Sequence, residues 1–294
     1  MITNWKVDKK YFIPYLFLLP AAIALIFSVF LPAARAFSLS FTRYDYYDLT
    51  QRPEWVGLAN FKRLWTDAVF WQTLQNTLLY LAGVVPVLVV VPLLLAVLVN
   101  QKLRGISWFR TIFYTPVLIS MVVAGITWKA FYASNGLLNQ WLESFGVETS
   151  IPWLTSPELA IWSVMAVTVW KGLGYYMVIY LAGLQSIPNE LYEAAAIDGS
   201  DGFAKHWDIT VPLMRPYLVL VACLSAISAA KVFEEVYVMT KGQPLNSSKT
   251  IVYYIWEQAF KDFDISYACT IGLVLFLVIL GFSILNLHVS QRTN

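Results

Sequence analysis

The stretch TLQNTLLYLAGVVPVLVVVPLLLAVLV, residues 73–99, contains no charged side chain. It exceeds the roughly 20 apolar residues that a helix needs to cross a hydrocarbon core about 30 Å thick. The whole chain of 294 residues has a similar character, with 59% hydrophobic and only 13% charged residues, whereas soluble domains carry about 25% charged residues. The composition therefore predicts an integral membrane protein.

Further apolar runs have the length of a membrane span. Together with residues 73–99, the predicted spans are residues 11–37, 108–130, 159–184, 213–239 and 265–289. The first run is too long for the apolar core of a signal peptide and lacks a convincing cleavage site, so we expect it to be retained. These six spans leave no room for a large soluble domain, and the predicted fold class is an all-α integral membrane protein.

Basic residues do not decide how the chain is oriented in the membrane. If the N-terminus is cytoplasmic, the inner and outer connections hold nearly equal numbers of Lys and Arg, so the positive-inside rule barely discriminates. Acidic residues offset many of the outer basic ones, which favours a cytoplasmic N-terminus, residues 1–10. A single six-helix domain, residues 11–294, follows it, and an even number of spans places both termini on one side.

Two longer connections, GLANFKRLW (57–65) and NGLLNQWLESFGV (135–147), combine aromatic, amide and amphipathic positions. This pattern predicts short helices that lie on the outer surface of the membrane that the chain spans. Interfacial anchoring by Trp and Tyr explains most of the aromatic residues. Contact with a soluble partner is the alternative.

Several function classes lack the residues that their chemistry needs. The net charge is only +2 and the basic residues are scattered, which argues against a nucleic-acid partner. No G-x-x-x-x-G-K-[ST] loop is present to hold phosphates, so we do not expect this chain to hydrolyse ATP. With two His and two Cys, the sequence predicts no metal site, and it offers no catalytic triad.

One polar stretch, NELYEAAAIDGSDGFAKHWDITVPL (189–213), interrupts the apolar runs. We expect Pro188 and Asn189 to start a short helix that Asn189 caps, and Gly199 to end it in a left-handed conformation. Pro212 is expected to lead into the fifth span, where a proline is tolerated in the first turn. The residues expected to share one face of the short helix are Leu191, Ala194, Ala195 and Asp198. The stretch is either a simple connector or a rigid knob that transmits the motion of a soluble partner.

The same stretch carries Glu193, Ala194 and Ala195, then Gly199, then Ile209, Val211 and Pro212. This pattern resembles the cytoplasmic signature loop of permease subunits in binding-protein-dependent ABC importers. In that family the loop, here residues 189–212, forms a coupling helix that sits in a cleft of an ATPase subunit. The resemblance places the loop and both termini in the cytoplasm. The ATPase-coupling residues that it implies are Glu193, Ala194, Ala195, Asp198, Gly199, Ile209 and Pro212.

The resemblance continues through VGLANFKRL, NTLLYLAGV, LRGISWFRTIFYTPVL, AGLQSIPNELYEAA and KVFEEVYVMTKGQP. These segments look like the carbohydrate-uptake branch, in the subunit type of the maltose and glycerol-phosphate permeases, and imply a six-helix type I permease bundle. Two departures stand out. His206 replaces a common aromatic residue, usually Phe, and we expect it to change how the loop packs on its ATPase. The segment TKGQPLNSSKT replaces the usual TxGGP turn, and we expect it to change the outer gate.

The resemblance also implies partners and a location. The partners are a second homologous permease subunit in a heterodimer, a dimer of ATP-binding subunits, an extracytoplasmic solute-binding protein, a sugar-like solute and membrane lipid. No cofactor is expected on this chain, because ATP and Mg are bound by the partner ATPase. The expected location is the bacterial cytoplasmic (inner) membrane, where transport proceeds by alternating access.

Candidate solute-binding residues lie in the fourth and fifth spans. Gly172 and Gly174 are expected to kink the fourth span and expose backbone polar groups, and Tyr175 offers a ring on which a sugar can stack. By resemblance to maltose-type permeases, the matching positions are Lys171, Gly172, Tyr175, Ser225, Ala229 and Val232. Ser228 and Glu235 lie nearby and complete the predicted set. The alternatives for Lys171 are an ion pair with Glu234 or Glu235 and extension to the outer surface.

Two rival functions come from other classes. An ion-coupled secondary transporter calls for internal repeats and for buried carboxylates near the membrane midplane. The sequence shows no clear repeat, and its carboxylates lie mainly near span ends. A membrane-embedded enzyme would need an intramembrane nucleophile with a base or a metal cluster, and none is found.

Overall fold

A computed structural model of the chain describes residues 12–44, 53–101, 104–147, 150–200 and 202–291. Within these ranges helices dominate, and the sheet consists of two short antiparallel strands, β1 (Thr42–Arg43) and β2 (Glu54–Trp55). The predicted all-α class is confirmed. The predicted cytoplasmic N-terminus, residues 1–10, lies outside the described residues.

The chain divides into two compact units. The first comprises Met1–Thr66 and Ile255–Val274, and the second comprises Asp67–Tyr254 and Leu275–Asn294. Helices α13 (Ile251–Phe260) and α14 (Ile265–Gln291), the last two of the chain, each contribute residues to both units.

The first unit contains one long apolar helix and a short polar one. In chain order it holds α1 (Phe12–Leu25), a π-helical turn (Ile26–Phe30), α2 (Leu31–Leu39) and α3 (Ala59–Thr66). The helix predicted near residues 57–65 is confirmed as α3. The side-chain amide of Asn60 on α3 donates to the carbonyls of Ser40 and Thr42 at 3.0 and 2.9 Å. This amide therefore ties α3 to the chain that leaves α2.

The second unit is built around its first helix, α4. Its helices are α4 (Ala68–Val99), α5 (Ile106–Leu118), α6 (Met121–Phe131), α7 (Leu137–Ser144), α8 (Ala160–Gln185), α9 (Asn189–Ile197), α10 (Val211–Leu213), α11 (Arg215–Ala230) and α12 (Glu234–Met239). Helix α7 confirms the helix predicted within residues 135–147. Helix α4 begins at Asp67, whose Oδ1 accepts hydrogen bonds from the N–H groups of Val69 and Phe70, as an N-cap does.

One face of α4 is buried and packs on α8 and α11. Its buried residues recur every three or four positions, as expected for one face of a helix, and include Thr73, Thr77, Tyr80, Val84 and Leu88. Leu79, Val90 and Leu94 lie on other faces and are exposed. In a membrane, these apolar side chains suit a lipid environment.

The number of membrane-crossing helices differs from the prediction. Within the described residues, four helices are long and apolar enough to cross a membrane, or five if one bent pair forms a single span. The four are Pro14–Leu39, Ala68–Val99, Ala160–Gln185 and Arg215–Met239. The predicted sixth span coincides with α14, but the apolar helix found there, Ile265–Gly281, is shorter. Length and composition therefore do not confirm six spans.

The predicted third span, residues 108–130, is broken. Helices α5 and α6 meet at an angle of 99° across a two-residue break. Pro116, in the last turn of α5, has no N–H for the helix and its ring obstructs the preceding turn, and Ile119 is extended with ψ 135°. The Ser120 hydroxyl then accepts from the N–H of Val123 at 3.3 Å and caps α6. Within the break, the N–H of Ile119 donates to the carbonyl of Pro116 at 3.3 Å, and the remaining carbonyls at the end of α5 have no next helical turn to bond to.

The fourth predicted span forms one helix that is not broken at Gly172 or Gly174, and whether it bends there stays a prediction. Helix α8 runs without interruption from Ala160 to Gln185. A Cβ atom at residue 174 would lie 2.1 Å from the carbonyl oxygen of Phe113 on α5, and one at residue 172 would lie 2.9 Å from the Leu88 side chain on α4. The two glycines allow neighbouring helices to approach α8 closely, as small residues do in membranes.

Replacing Gly174 by Ala should lower the thermal stability of the purified protein, because the added methyl group must displace the α5 backbone. Such overpacking costs about 1–3 kcal/mol. The matched control is Gly281→Ala on α14, where an added Cβ would have no neighbouring atom within 4 Å. Thermal unfolding in detergent, followed by Trp fluorescence, compares the two. Equal midpoints for G174A and the wild type would contradict the close approach.

Candidate functional site

An open cavity of about 540 Å³ lies within the second unit. Its walls are formed by residues of α4, α5, α6, α8, α11 and α12. The volume lies within the range of roughly 300–1,000 Å³ that is typical of small-molecule sites. The described part of the chain therefore contains a space large enough for a small solute.

One face of α8 forms the longest wall. The residues of α8 that line the cavity are Thr168, Lys171, Gly172, Tyr175 and Tyr176, at the i, i+3, i+4, i+7 and i+8 positions of one helical face. The rings of Tyr175 and Tyr176 meet edge to face with their centroids 5.1 Å apart. Sequence reasoning missed Thr168 as a site residue and did not commit to Tyr176, although helical spacing from Gly172 would have found both.

The facing wall comes from α11, α12 and the break between them. Helix α11 ends at Ala230 and α12 begins at Glu234, so the predicted fifth span, residues 213–239, is interrupted. The lining residues of this wall are Leu224, Ser228, Lys231, Val232, Phe233, Glu234 and Glu235. Because a continuous helix would distribute five consecutive side chains around its axis, the break is what brings residues 231–235 to one cavity.

The cavity brings together six of the eight predicted solute-binding residues. These are Lys171, Gly172, Tyr175, Ser228, Val232 and Glu235. Ser225 and Ala229 are fully or almost fully buried outside the lining, and the Ser225 hydroxyl donates to the carbonyl of Ala222 at 3.2 Å. The structure thus assembles most of the set, and contact with a solute stays a prediction.

The Lys171 ammonium group is held by main-chain carbonyls. Its Nζ donates to the carbonyl oxygen of Val117 at 3.2 Å and to that of Pro116 at 3.5 Å. These carbonyls belong to the C-terminal end of α5, which is the negative end of the helix dipole. The carbonyl of Pro116 also accepts from the N–H of Ile119 at 3.3 Å. Among the described residues, Lys171 forms no ion pair with Glu234 or Glu235, so that alternative is not observed.

The carboxylate of Glu235 is held from the opposite wall. Thr168 Oγ1 donates to Glu235 Oε1 at 3.2 Å, and the Tyr80 hydroxyl on α4 lies 2.5 Å from Thr168 Oγ1. These hydrogen bonds join α4, α8 and α12. Hydrogen bonds that form such a chain polarise and strengthen one another. The charged residues of the cavity are Lys171, Lys231, Glu234 and Glu235. Their formal charges balance.

Outside the predicted spans, the loop 189–212 begins with helix α9. The expectation that Asn189 caps this helix is wrong, because Asn189 is already its first residue. Pro188 occupies the cap position with an extended backbone, ψ 136°, and no side chain caps the helix. The predicted helix start at Pro188 and Asn189 is thus confirmed, with Pro188 rather than Asn189 in the cap position.

The predicted end of α9 at Gly199 is confirmed. Gly199 has φ 86°, a left-handed conformation that glycine adopts without steric cost. The N–H groups of Gly199 and Ser200 donate to the carbonyls of Ala196 and Ala195, which is the Schellman arrangement. The end of the helix is therefore fixed by local backbone chemistry.

The loop returns to the bundle through a π-helical turn, His206–Thr210, and α10. Pro212 leads into the fifth span, as expected, but it lies in the short helix α10, before the first turn of the span. The span begins later, at Arg215, and carries Pro216 in its first turn. Both Pro212 and Pro216 are compatible with the first turn of a helix, so the sequence pattern alone did not show which of them begins the span.

The predicted ATPase-coupling residues divide between surface and interior. The exposed ones are Glu193, Ala194, Asp198 and Gly199, the half-buried ones are Ile209 and Pro212, and Ala195 is buried. Leu191, expected on the same face as Ala195, is exposed. Ala195 therefore packs within the chain, and the coupling roles of the whole set stay a prediction.

Three large apolar side chains on the loop were missed by sequence reasoning. Ile197, Phe203 and Trp207 are 87%, 72% and 63% exposed. Exposed apolar side chains grouped on one segment mark a surface that contacts a partner or lipid. The sequence shows that one of them precedes Gly199 and two follow it. It does not show that they are exposed, because their exposure depends on the turn at Gly199.

The segment TKGQPLNSSKT, residues 240–250, forms an ordered loop tied to α4. Ser248 Oγ donates to Thr240 Oγ1 at 2.8 Å within the loop. The side-chain amide of Asn76 on α4 donates to the carbonyls of Asn246 and Lys249 at 2.8 and 2.9 Å. The departure from the usual turn is thus accommodated by side-chain hydrogen bonds, and its effect on an outer gate stays a prediction.

Residues 69–294 match the family described as the inner membrane component of binding-protein-dependent transport systems. The chain belongs to this family. It is a multi-pass permease subunit of an ABC importer in the inner membrane, and a separate subunit hydrolyses ATP, so this permease is not itself an enzyme. Membership excludes the ion-coupled secondary transporter and the membrane-embedded enzyme. The orientation of the termini stays a prediction.

Similar proteins extend over nearly the whole permease. It is 34% identical to the probable ABC transporter permease protein YesP of Bacillus subtilis, over 94% of this chain and 89% of that protein. It is 35% identical to the lactose transport system permease protein LacF of Rhizobium radiobacter, over 95% and 94% of the two chains. A chain of the bacterial alginate ABC transporter, crystallised with an alginate pentasaccharide-bound periplasmic protein, superposes with a TM-score of 0.86 at 25% identity. That superposition covers 99% of this chain and 98% of the other.

Replacing Lys171 by Met should lower the thermal stability of the permease, because the part-buried carbonyl of Val117 loses its side-chain donor. The carbonyl of Pro116 keeps its hydrogen bond from the N–H of Ile119. We therefore expect a cost of about 1 kcal/mol, near the lower end of the roughly 1–3 kcal/mol for an unsatisfied buried acceptor. The matched control is Lys231→Met, which removes an exposed ammonium group from the same cavity. Unfolding midpoints in detergent measure both variants, and equal midpoints for K171M and K231M would show that Lys171 does not support the broken span.

Proposed function

We propose that this permease imports an uncharged sugar of disaccharide or oligosaccharide size, and that the cavity between α8, α11 and α12 binds the sugar during transport. The observation that carries the proposal is the lining of this cavity. Tyrosine rings, hydroxyl groups and a balanced set of charges surround a space of about 540 Å³. The alternating-access cycle is driven by ATP on partner subunits, and no cofactor binds to this chain.

The chemistry of the lining favours a sugar over an apolar or ionic solute. The rings of Tyr175 and Tyr176 supply faces and edges for the C–H surface of a sugar ring. Ser228 offers a hydroxyl for hydrogen bonding, and the carboxylate of Glu235 can accept from sugar hydroxyls. A few polar groups that fix orientation within a partly apolar lining are typical of small-molecule sites.

The charge of the cavity favours an uncharged solute. Two lysines and two glutamates line it, so their charges balance and give no net attraction for an acidic sugar or a phosphate. Lys171 in addition already donates to the carbonyls of Pro116 and Val117. The LacF relative is named for lactose and the AraP relatives for arabinooligosaccharides. The alginate transporter, by contrast, is involved in the import of an acidic polysaccharide. Alginate and glycerol phosphate are both negatively charged and represent the solutes that the proposal excludes.

The loop 189–212 is proposed to lie in the cytoplasm, together with both termini, and to seat α9 on an ATPase subunit. Ile197, Phe203 and Trp207 supply an apolar surface for that contact, and Glu193 and Asp198 add exposed carboxylates. The remaining partners of the proposal are a second homologous permease subunit, a dimer of ATP-binding subunits that holds ATP and Mg, and an extracytoplasmic binding protein. The alginate transporter structure includes a periplasmic protein.

The position of the loop in the chain explains how it would act on the cavity. Helix α8 ends at Gln185, shortly before α9, and α11 begins at Arg215, shortly after the loop. These two helices form facing walls of the cavity. A displacement of α9, when ATP binding closes the ATPase dimer, therefore acts directly on both walls, because packed helices move as units. ATP binding biases the cavity towards the outward-open state.

The solute class can be tested by the ATPase activity of the assembled transporter in proteoliposomes with its binding protein. Lactose, maltose, trehalose and arabinooligosaccharides are the neutral probes, and an alginate oligosaccharide and glycerol phosphate are the acidic probes. At least one neutral probe should stimulate hydrolysis. Tyr175→Ala should raise the concentration needed for half-maximal stimulation, whereas Tyr175→Phe, which keeps the ring, should change it little. Stimulation by the acidic probes alone would overturn the proposal.

Replacing Gly199 by Val should abolish ATP-driven uptake while the variant still inserts into the membrane. A β-branched residue at φ 86° is strained by about 1–3 kcal/mol, which distorts the end of α9. The matched control is Gly57→Val, at another left-handed glycine where an added Cβ meets no atom within 4 Å. Uptake of a stimulating sugar into proteoliposomes measures the effect, and normal uptake by G199V would count against the coupling role.

A further inference from the structure

Three side chains connect α9 to the turn that precedes the fifth span. The Tyr192 hydroxyl on α9 lies 3.1 Å from Thr210 Oγ1, and His206 Nδ1 lies 3.1 Å from the same oxygen. Thr210 is 1% exposed, and Tyr192 and His206 are half-buried. Thr210 therefore stands at the centre of a link, Tyr192 to Thr210 to His206, that is largely shielded from water.

The geometry of the turn brings His206 and Thr210 together. Residues His206–Thr210 form a π-helical turn in which the N–H of Val211 donates to the carbonyl of His206. Such wide single turns occur frequently at functional sites. The turn leads directly into α10 and then α11. A force on the ring of His206 thus reaches the start of a cavity wall within a few residues.

A neutral histidine completes the hydrogen bonding of the link. Burial, and to a smaller extent the nearby Lys205, lower the pKa of His206, which keeps the ring neutral near pH 7. With its proton on Nε2, the ring accepts at Nδ1 from the Thr210 hydroxyl, which in turn accepts from the Tyr192 hydroxyl. Each hydroxyl then has a partner for its hydrogen.

A phenylalanine at residue 206 could fill similar space but could not accept this hydrogen bond. The other side-chain bond between α9's end and the π-helical turn, from Ser200 Oγ to Asp208 Oδ2, is exposed. Hydrogen bonds in a shielded environment are stronger than those in contact with water. The Thr210-centred link is therefore the one of the two connections that is better shielded from competition by water.

We propose that Tyr192, Thr210 and His206 are positioning residues of energy coupling, which transmit a displacement of α9 to α11 and so to the cavity. The inference rests on the proposed function of the loop 189–212. It assigns a role to His206, where this permease departs from the usual aromatic residue. None of the three residues needs to touch the solute or the ATPase to act in this way.

The test uses the assembled transporter in proteoliposomes and needs no knowledge of the solute. A reporter Ser228→Cys is placed in the cavity in a Cys223→Ala, Cys269→Ala background. ATP and vanadate are supplied on the ATPase side and an impermeant maleimide on the opposite side. In the reporter protein the nucleotide should increase the labelling rate of residue 228, because the cavity opens outward.

The variants separate hydrogen bonding from packing. His206→Phe and Tyr192→Phe each remove one hydrogen bond with little change in volume, whereas Thr210→Val removes both. Each of the first two should reduce the nucleotide-dependent increase in labelling by roughly fivefold, the factor that corresponds to about 1 kcal/mol for a buried hydrogen bond, and T210V should reduce it at least as much. His206→Asn, which can place an acceptor near the position of Nδ1, and Thr210→Ser should keep the increase close to that of the reporter protein. The double variant H206F/T210V should lose no more than T210V alone.

The outcomes distinguish the link from the function on which it rests. Co-purification of the ATPase subunits with each variant shows that the variant has folded and assembled. No nucleotide-dependent labelling in the reporter protein itself would refute the coupling role of the loop. Normal labelling changes in H206F and T210V, with a responsive reporter protein, would overturn the link alone. Loss in H206F without recovery in H206N would assign the effect to packing and would also overturn it.

Discussion

Inside a bilayer, every backbone N–H and C=O group needs a partner within the protein, and the break between α5 and α6 is the place where this requirement is hardest to meet. The carbonyl of Val117 accepts from the Lys171 ammonium group of α8, and the carbonyl of Pro116 accepts from Lys171 and from the N–H of Ile119. The Ser120 hydroxyl accepts from an N–H group in the first turn of α6. Because both ends are capped, a span can bend by 99° beside the cavity without leaving its ends unsatisfied. The charge that caps the break also faces the cavity.

The second interruption, between α11 and α12, has a complementary effect. It brings five consecutive residues, 231–235, to the cavity, and it points Glu235 towards the hydroxyl of Thr168. The unbroken helix α8 lies between the two interruptions, and Gly174 allows the α5 backbone to pack closely against it. One uninterrupted helix thus faces two interrupted spans across the cavity.

The loop 189–212 connects α8 to α11 along the chain, and these two helices form facing walls of the cavity. Its exposed side carries Ile197, Phe203 and Trp207, and its buried side carries Ala195 and Thr210. One side of the loop is thus available to a partner, whereas the other is fixed to the permease. This division gives the loop what a coupling element requires, a contact surface and a rigid attachment.

The sequence alone determined what depends on short stretches of chain. Apolar length identified the membrane class, amphipathic spacing identified α3 and α7, and the left-handed preference of glycine identified the end of α9 at Gly199. Tertiary structure decided what depends on residues that are distant in sequence. Gly172 and Gly174 were read as a kink, because a glycine in a span permits either a bend or a close approach, and only the position of α5 and α4 reveals the close approach. Lys171 had several candidate partners, and its partner proved to be a carbonyl 54 residues away. Hydrophobicity and backbone preference belong to a residue and its neighbours, whereas the partner of a buried polar group is set by which helices meet.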